Sequence, residues 1–177
     1  AGNYISNEGN MTAENDVTIN AGTGVDNKGH LASLTDGDVE ILANEGVINS
    51  DVLEAQHGSV TITSEHGAII NYNGADLYAG NGNVTLETKA KVGETVVNII
   101  NEGDLAANGN ITLKSENGNI RNIDDFGTYT DKDGNSYSIA TNNILIEAKN
   151  GEVENSQDLI AAGSVDITAK TGLSNFA

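Results

Sequence analysis

The 177-residue chain contains no cysteine, no proline and no tryptophan, and only two phenylalanines. Without cysteine there can be no disulfide framework, no thiol nucleophile and no cysteine-based zinc site. That absence does not fix a compartment, because coils held by their neighbours can be secreted without disulfides. Few aromatics and a hydrophobic share of 37% suit a thin interior of Val, Ile, Leu and Ala better than a wide globular core. Positive charge is scarce: eight Lys and Arg face 26 Asp and Glu, for a formal net charge of −18. Such a chain repels a phosphate backbone or an anionic bilayer, so nucleic acid is not an expected partner. No apolar run approaches the roughly 18 residues of a membrane span, and the first thirty residues carry no charged and apolar leader. Neither membrane insertion nor a signal peptide is expected within these residues.

What the chain does contain is repetition. Residues 99–118, IINEGDLAANGNITLKSENG, show the pattern that recurs from end to end. Three short alternating segments occupy residues 105–107, 111–115 and 120–122. Period-two alternation puts Leu105, Ala107, Ile111, Leu113, Ser115, Ile120 and Asn122 on one side, and Ala106, Thr112, Lys114 and Arg121 on the other. Each third segment ends on an asparagine two residues after an aliphatic. These are Asn7, Asn27, Asn49, Asn71, Asn101, Asn122, Asn155 and Asn175, at spacings of 20, 22, 22, 30, 21, 33 and 20. An inward amide without partners costs about 1–3 kcal/mol, and stacked asparagines can supply one another. Stacking requires parallel coils in register, hence a solenoid.

An antiparallel meander is the rival, since Asn81-Gly82, Asn108-Gly109, Asn117-Gly118 and Asn150-Gly151 are good hairpin-turn dipeptides. It fails on parity: three strands per repeat would reverse the chain at every repeat. Strands of three to five residues leave no room for the helices of helical solenoids, and the variable corners break the six-residue rhythm of a left-handed hexapeptide solenoid. The expected fold is therefore all-β, a right-handed parallel β-helix with three short strands per ~20-residue coil. About eight coils at ~4.8 Å make a rod roughly 35–40 Å long.

Small residues Ala21, Ala43, Ser64, Thr88, Ser115, Ala148 and Ala169 recur at one inward position, and the 21 glycines are expected at corners that need positive φ. Two longer insertions stand out, at residues 89–98 and 123–138. The second reads as a protruding extra-helical β-hairpin, with residues 127–130 and 136–138 flanking Asp131-Lys-Asp-Gly-Asn135. Beyond it the rhythm resumes with segments at 139–141, 144–148, 153–155, 159–161, 165–169 and 173–175. Residues 4–7 and 173–175 are third segments, so the chain begins and ends in mid-repeat. Residues 1–177 are accordingly expected to be a single β-helix segment cut from a longer solenoid.

The unit Gly109-Asn-Ile-Thr-Leu, followed by a corner glycine and an aliphatic-x-Asn, resembles the repeats of filamentous haemagglutinin-type exoproteins of Gram-negative two-partner secretion systems. The likeness covers nearly the whole chain. It implies a right-handed β-helical shaft, secreted to the bacterial outer cell surface, that serves as an adhesin or as the stick of a contact-dependent inhibition toxin. The partners it implies are a host-cell receptor, a carbohydrate or another cell-surface protein, with an outer-membrane transporter engaged through a region outside these residues. The family's secretion domain carries Asn-Pro motifs, and this proline-free chain departs from that pattern. It should be shaft.

Candidate chemistry is sparse. Twenty-six carboxylates guarantee some close pairs, and polysaccharide lyases share this fold class. A β-helical polysaccharide-processing lyase or hydrolase is thus the alternative function, but it needs a shielded carboxylate pair with basic or aromatic contacts. The outward row Thr18, Glu40, Thr61, Thr85, Thr112, Leu145 and Asp166 is mixed and mostly short, so no catalytic residue, cofactor or metal site is expected. Asp131-Lys-Asp-Gly-Asn135 has half of a calcium loop without the later glutamate, and His30, His57 and His66 fall on different corners. Thr61 and Thr63 are isolated among Glu40, Leu42, Glu87 and Lys114, which breaks an ice-binding array. The glycosylation sequons at Asn10, Asn83 and Asn110 are by-products of the repeat. Ile48, Ile70 and Ile100 form an outward apolar ladder that residues 89–98 are expected to cover through Val92, Val96 or Val97. Because Asn71 and Asn122 open the same corner two coils apart, Tyr72, Asp124, Asp125, Phe126, Tyr129 and Tyr137 are expected to share one edge, with aromatic faces beside carboxylates suited to a carbohydrate or a protein loop.

Overall fold

The computed structural model describes residues 3–130 and 134–176, and only the backbone of Tyr129 and Thr130. A lone third strand, β1 (Ile5–Asn7), opens the rod. Coils follow as β2 (Met11–Ala13), β3 (Val17–Ala21) and β4 (Gly24–Asn27); β5 (Leu31–Ser33), β6 (Val39–Ala43) and β7 (Gly46–Asn49); and β8 (Leu53–Ala55), β9 (Val60–Ser64) and β10 (Ile69–Asn71). Next come β11 (Asp76–Ala79), β12 (Val84–Thr88) and β13 (Ile99–Asn101), then β14 (Asp104–Ala107), β15 (Ile111–Ser115) and β16 (Ile120–Asn122). The hairpin is β17 (Thr128–Thr130) with β18 (Ser136–Ser138), and the rod closes with β19 (Ile144–Ala148), β20 (Glu152–Asn155), β21 (Val165–Ala169) and β22 (Gly172–Asn175).

Every third strand pairs in parallel with its counterpart one coil away, giving an eight-stranded asparagine sheet. The five-residue strands give a seven-stranded middle sheet, and the first strands a five-stranded lead sheet. The architecture is a right-handed parallel β-helix. Like residues stack in register, as in Ile69 beside Ile99 and Val84 beside Ile111. Inward rows such as Ile41, Ile62, Leu86 and Leu113 are fully buried in one continuous core. Each such side chain contributes about 1.5–3 kcal/mol by leaving water. The last coil has nothing stacked on its far side in the described residues, so Val165 and Leu173 are exposed there.

The inward asparagines join head to tail. Each Nδ2 donates to the next Oδ1, from Asn7 through Asn27, Asn49, Asn71, Asn101, Asn122 and Asn155 to Asn175, at 2.8–2.9 Å throughout. The remaining proton reaches a backbone carbonyl near the start of a lead segment. Asn27 finds Val52, Asn49 finds Asp76, and Asn122 finds Asp124. The ladder therefore closes the corner between asparagine sheet and lead sheet as well as linking coils. Thr88 Oγ1 donates to Ser115 Oγ in the small-residue row, which in turn donates to the Val97 carbonyl.

A second polar ladder, not anticipated from the sequence, runs up the corner before the middle sheet. The side-chain oxygens of Asp16, Asp38, Ser59 and Asn83 accept the backbone N–H of the matching residue one coil on, and Asn143 does the same for Ser164. Short polar side chains suit this because they reach only the nearest backbone. Positive φ, expected from the sequence at the corners, is confined among the described residues to Gly74, Gly93, Gly127 and Gly134, in longer turns and insertions. Corner glycines answer to crowding instead: a Cβ on Gly82 would come within 2.5 Å of the Gly58 carbonyl oxygen.

Two expected features differ. The segments at 139–141 and 159–161 form no strands, because the hairpin leaves the lead row between its leucine and alanine positions. Phe126 pairs with Leu105 at the leucine position, and Thr141 resumes the row 15 residues later, its carbonyl accepting from Ala162 N–H. The apolar ladder is also not roofed as expected. Val92 and Val96 are 71% and 61% exposed, whereas Val97 is buried at the corner, where Gly118 leaves room for its carbonyl. Ile48, Ile70 and Ile100 stay half-buried along the asparagine sheet.

Asn101→Ala orphans the amide of Asn71 and the carbonyl of Asn122, at about 1–2 kcal/mol each, which is a melting-temperature loss of roughly 5–15 °C. Ile100→Ala, one residue away and outward, should lose less than half of that in the same calorimetric scan. Equal losses for the two would remove the ladder from the account of stability. Gly82→Ala should also lower the melting temperature, since the new methyl group would meet the Gly58 backbone carbonyl as well as the Ser59 hydroxyl.

Candidate functional site

The hairpin is the one element that breaks the repeat's translational pattern on the lead sheet. Gly127, at φ +92°, turns the chain off the row, and its carbonyl accepts the Ile139 N–H at 2.7 Å to close the hairpin base. A Cβ there would meet the Ile139 carbonyl oxygen at 2.8 Å. Thr128 Oγ1 donates to Asp104 Oδ1 at 3.0 Å, tying the first hairpin strand to β14. β17 and β18 pair antiparallel with Tyr129 opposite Tyr137, and β17 lies against β14 and β11. The hairpin thus folds back over the outer face of the lead sheet toward the earlier coils. Ile139 packs there with Val52, Ala106 and Tyr78.

That outer face carries a row in register: Thr12, Ala32, Glu54, Tyr78 and Ala106. Glu54 is only 5% exposed, and its Oε1 lies 2.9 Å from His30 Nε2. Burial, and then the nearby Glu54 carboxylate, push the Tyr78 phenol above its ordinary range, so it is a protonated donor at neutral pH. His57 Nδ1 lies 3.2 Å from Asn81 Nδ2. Between rod and hairpin opens a cleft of about 470 Å³, lined by Glu54, Gln56, His57, Tyr78 and Asn108 from the rod and by residues 137–140 from the hairpin. On the other flank a second cleft of about 360 Å³ runs from Asp125 and Phe126 to Asp158 and Ile160.

Of the six residues expected on one edge, the five whose side chains are described separate into three groups. Tyr72 is exposed at the turn after Asn71, and Asp124 and Asp125 stand at the turn after Asn122. Phe126, expected on that surface, is instead 4% exposed and packed in the core, because it fills the leucine position of the lead row. Tyr137 lies away from that turn, on the first cleft, while the side chain of Tyr129 lies outside the described residues. Asp131, Lys132 and Asp133 of the half calcium loop are likewise outside them. The three histidines have separate carboxylate or amide neighbours, Glu54, Asn81 and Glu94. Among the described residues no three His, Asp or Glu side chains converge as metal ligands.

Glu54, Gln56, His57, Tyr78 and Asn108 escaped the sequence reading because they lie tens of residues from the hairpin they face. A signal did exist: Glu54 and Tyr78 are large, polar-tipped side chains in a row that otherwise holds Thr12, Ala32 and Ala106. No protein-family model matches the chain, and neither a curated protein nor a solved structure is significantly similar to it.

Burial raises the Asp124 carboxyl above its usual value, with Asp104 and Asp125 adding to the effect and the Asp125 N–H opposing it. A raised carboxyl pKa means that the native chain holds the proton more tightly than the unfolded one. Its stabilising share is present below the unfolded value of about 4 and is lost as pH rises through the native one. Asp124→Asn should therefore raise the melting temperature at pH 7, with the gain vanishing as pH falls below about 4. The same sign holds for Tyr78, whose share persists below about pH 10 and fails above it. Burial and the nearby Asp26 carboxylate raise the Tyr4 phenol as well, so a spectrophotometric titration should show late phenolates from both tyrosines, and Tyr78→Phe should remove one part of that late component and leave the other.

Proposed function

We propose that this chain is a non-enzymatic shaft segment of a bacterial, surface-exported exoprotein of the filamentous haemagglutinin-repeat kind, one that carries a binding element for adhesion on its hairpin. The observation that supports this reading is the amide ladder. It runs unbroken at 2.8–2.9 Å through Asn71, which opens a lengthened turn, and through Asn122, which stands just before the hairpin. A shaft must keep its axis while its decorations vary, and a repeat whose coils bind mainly to their neighbours does that. Partners in this reading are a host-cell receptor, a carbohydrate or another surface protein. Export through an outer-membrane transporter would use regions outside these residues.

The rival reading, a polysaccharide lyase or hydrolase, would draw on Asp125 and Asp158 of the second cleft. Replacing residues 128–139 by a short glycine linker separates rod from decoration while sparing Phe126 and Thr141. The trimmed rod should keep its β-sheet spectrum and melt within a few degrees of the intact chain, and should lose adhesion to cultured cells. A collapsed rod would overturn the shaft reading. Depolymerisation of any polysaccharide by the intact fragment, abolished by Asp158→Asn, would favour the enzyme.

A further inference from the structure

The cleft between the hairpin and the lead sheet is a built site whose chemistry selects a ligand class. Two tyrosines contribute to it from independent elements: Tyr78 from β11 and Tyr137 from β18, the latter 48% exposed. Around them stand two side-chain amides, Gln56 and Asn108, with the imidazole of His57 and the hydroxyl of Ser138. Its volume, about 470 Å³, falls within the roughly 300–1,000 Å³ of small-ligand pockets. Apolar lining comes from Ile139 and Ala140.

Anionic ligands are disfavoured twice over. Among the described residues the lining includes Glu54 and no Lys or Arg, and the chain as a whole carries −18. A lipid tail would strand the amides and the carboxylate against hydrocarbon. What satisfies aromatic faces, planar amides and a hydroxyl together is a ring with one C–H face and a rim of hydroxyls. Gln56 both donates and accepts, so it can serve two adjacent hydroxyls at once, and Asn108, whose Nδ2 already donates to the Gly80 carbonyl, keeps its second amide proton and its oxygen.

We infer that this cleft binds a pyranose without negative charge, at the end of a glycan chain. Tyr78 and Tyr137 supply the stacking faces, and Gln56, His57 and Asn108 the hydrogen bonds. The inference rests on the adhesive reading proposed above and names the ligand class of its binding element.

The test uses the intact 177-residue chain on immobilised glycans ending in galactose, glucose, mannose, N-acetylglucosamine or N-acetylgalactosamine, and on the galactose glycan capped with sialic acid. At least one uncharged terminus should be retained, and the sialylated cap should abolish binding to the galactose glycan. Tyr137→Ala and Gln56→Ala change exposed side chains, so each should keep the melting temperature while weakening retention tenfold or more. Tyr72→Ala, on the separate turn after Asn71, should leave it unchanged. No retention of any uncharged terminus, preference for the sialylated one, or indifference to both cleft substitutions would overturn the inference. Cell adhesion that persists alongside such a failure would leave the shaft-and-hairpin reading standing. Adhesion that survives removal of the hairpin would sink that reading whatever the glycans show.

Discussion

The column of asparagine amides is the constraint on which the rest of the rod depends. A carboxamide carries its donor and its acceptor on separate arms, so amides stacked one above another satisfy one another along the column without help from water. Inside a narrow core such a chain of bonds is strong when complete and costly when broken, because low polarity magnifies both cases. Its seven side-chain bonds also point one way, from the N-terminal coil to the C-terminal one. At Asn27, Asn49, Asn71 and Asn122 the second amide proton also ties the ladder to the start of a lead segment. One residue type thus sets both the spacing of coils and the geometry of a corner.

Crowding shapes the other corners. Successive backbones approach so closely that Gly58, Gly82 and Gly109 have no space for a methyl group; Ser59 and Asn83, which follow the first two, accept the next backbone N–H, and Asn110, which follows the third, accepts from the Asn143 side-chain amide. Glycine there records proximity, whereas among the described residues positive φ appears only in the lengthened turn at Gly74 and in the insertions. This separates two uses of the same residue. In the repeat it permits stacking, and in the insertions it permits departure.

The hairpin shows how a solenoid can carry an added element without losing its core. It interrupts the lead row rather than lengthening a corner, and the row is kept filled by Phe126 and Thr141 on either side of the gap. The cost falls on the lead sheet, which ends at β14 while its two companions continue. In exchange the outer face of that sheet gains a wall. Glu54, Tyr78 and His57 would otherwise be ordinary outward side chains of a rod; against the hairpin they line a cleft.

Period, parity and alternation were enough to determine the winding, the three rows and the inward asparagines, because those properties are translational. A residue's neighbour in a solenoid is its own counterpart one coil away, and sequence spacing reports that directly. Ile48, Ile70 and Ile100 could be aligned on this basis before any coordinate was known. Only the tertiary structure decided that Phe126 enters the core, that Val92 and Val96 stand in solvent, and that Tyr137 faces Tyr78 across 59 residues of chain. These depend on which way an insertion folds once it has left the repeat. That direction is settled by single contacts such as Thr128 with Asp104 and Ile139 with Val52, which recur nowhere else in the described residues and so leave no periodic trace in the sequence.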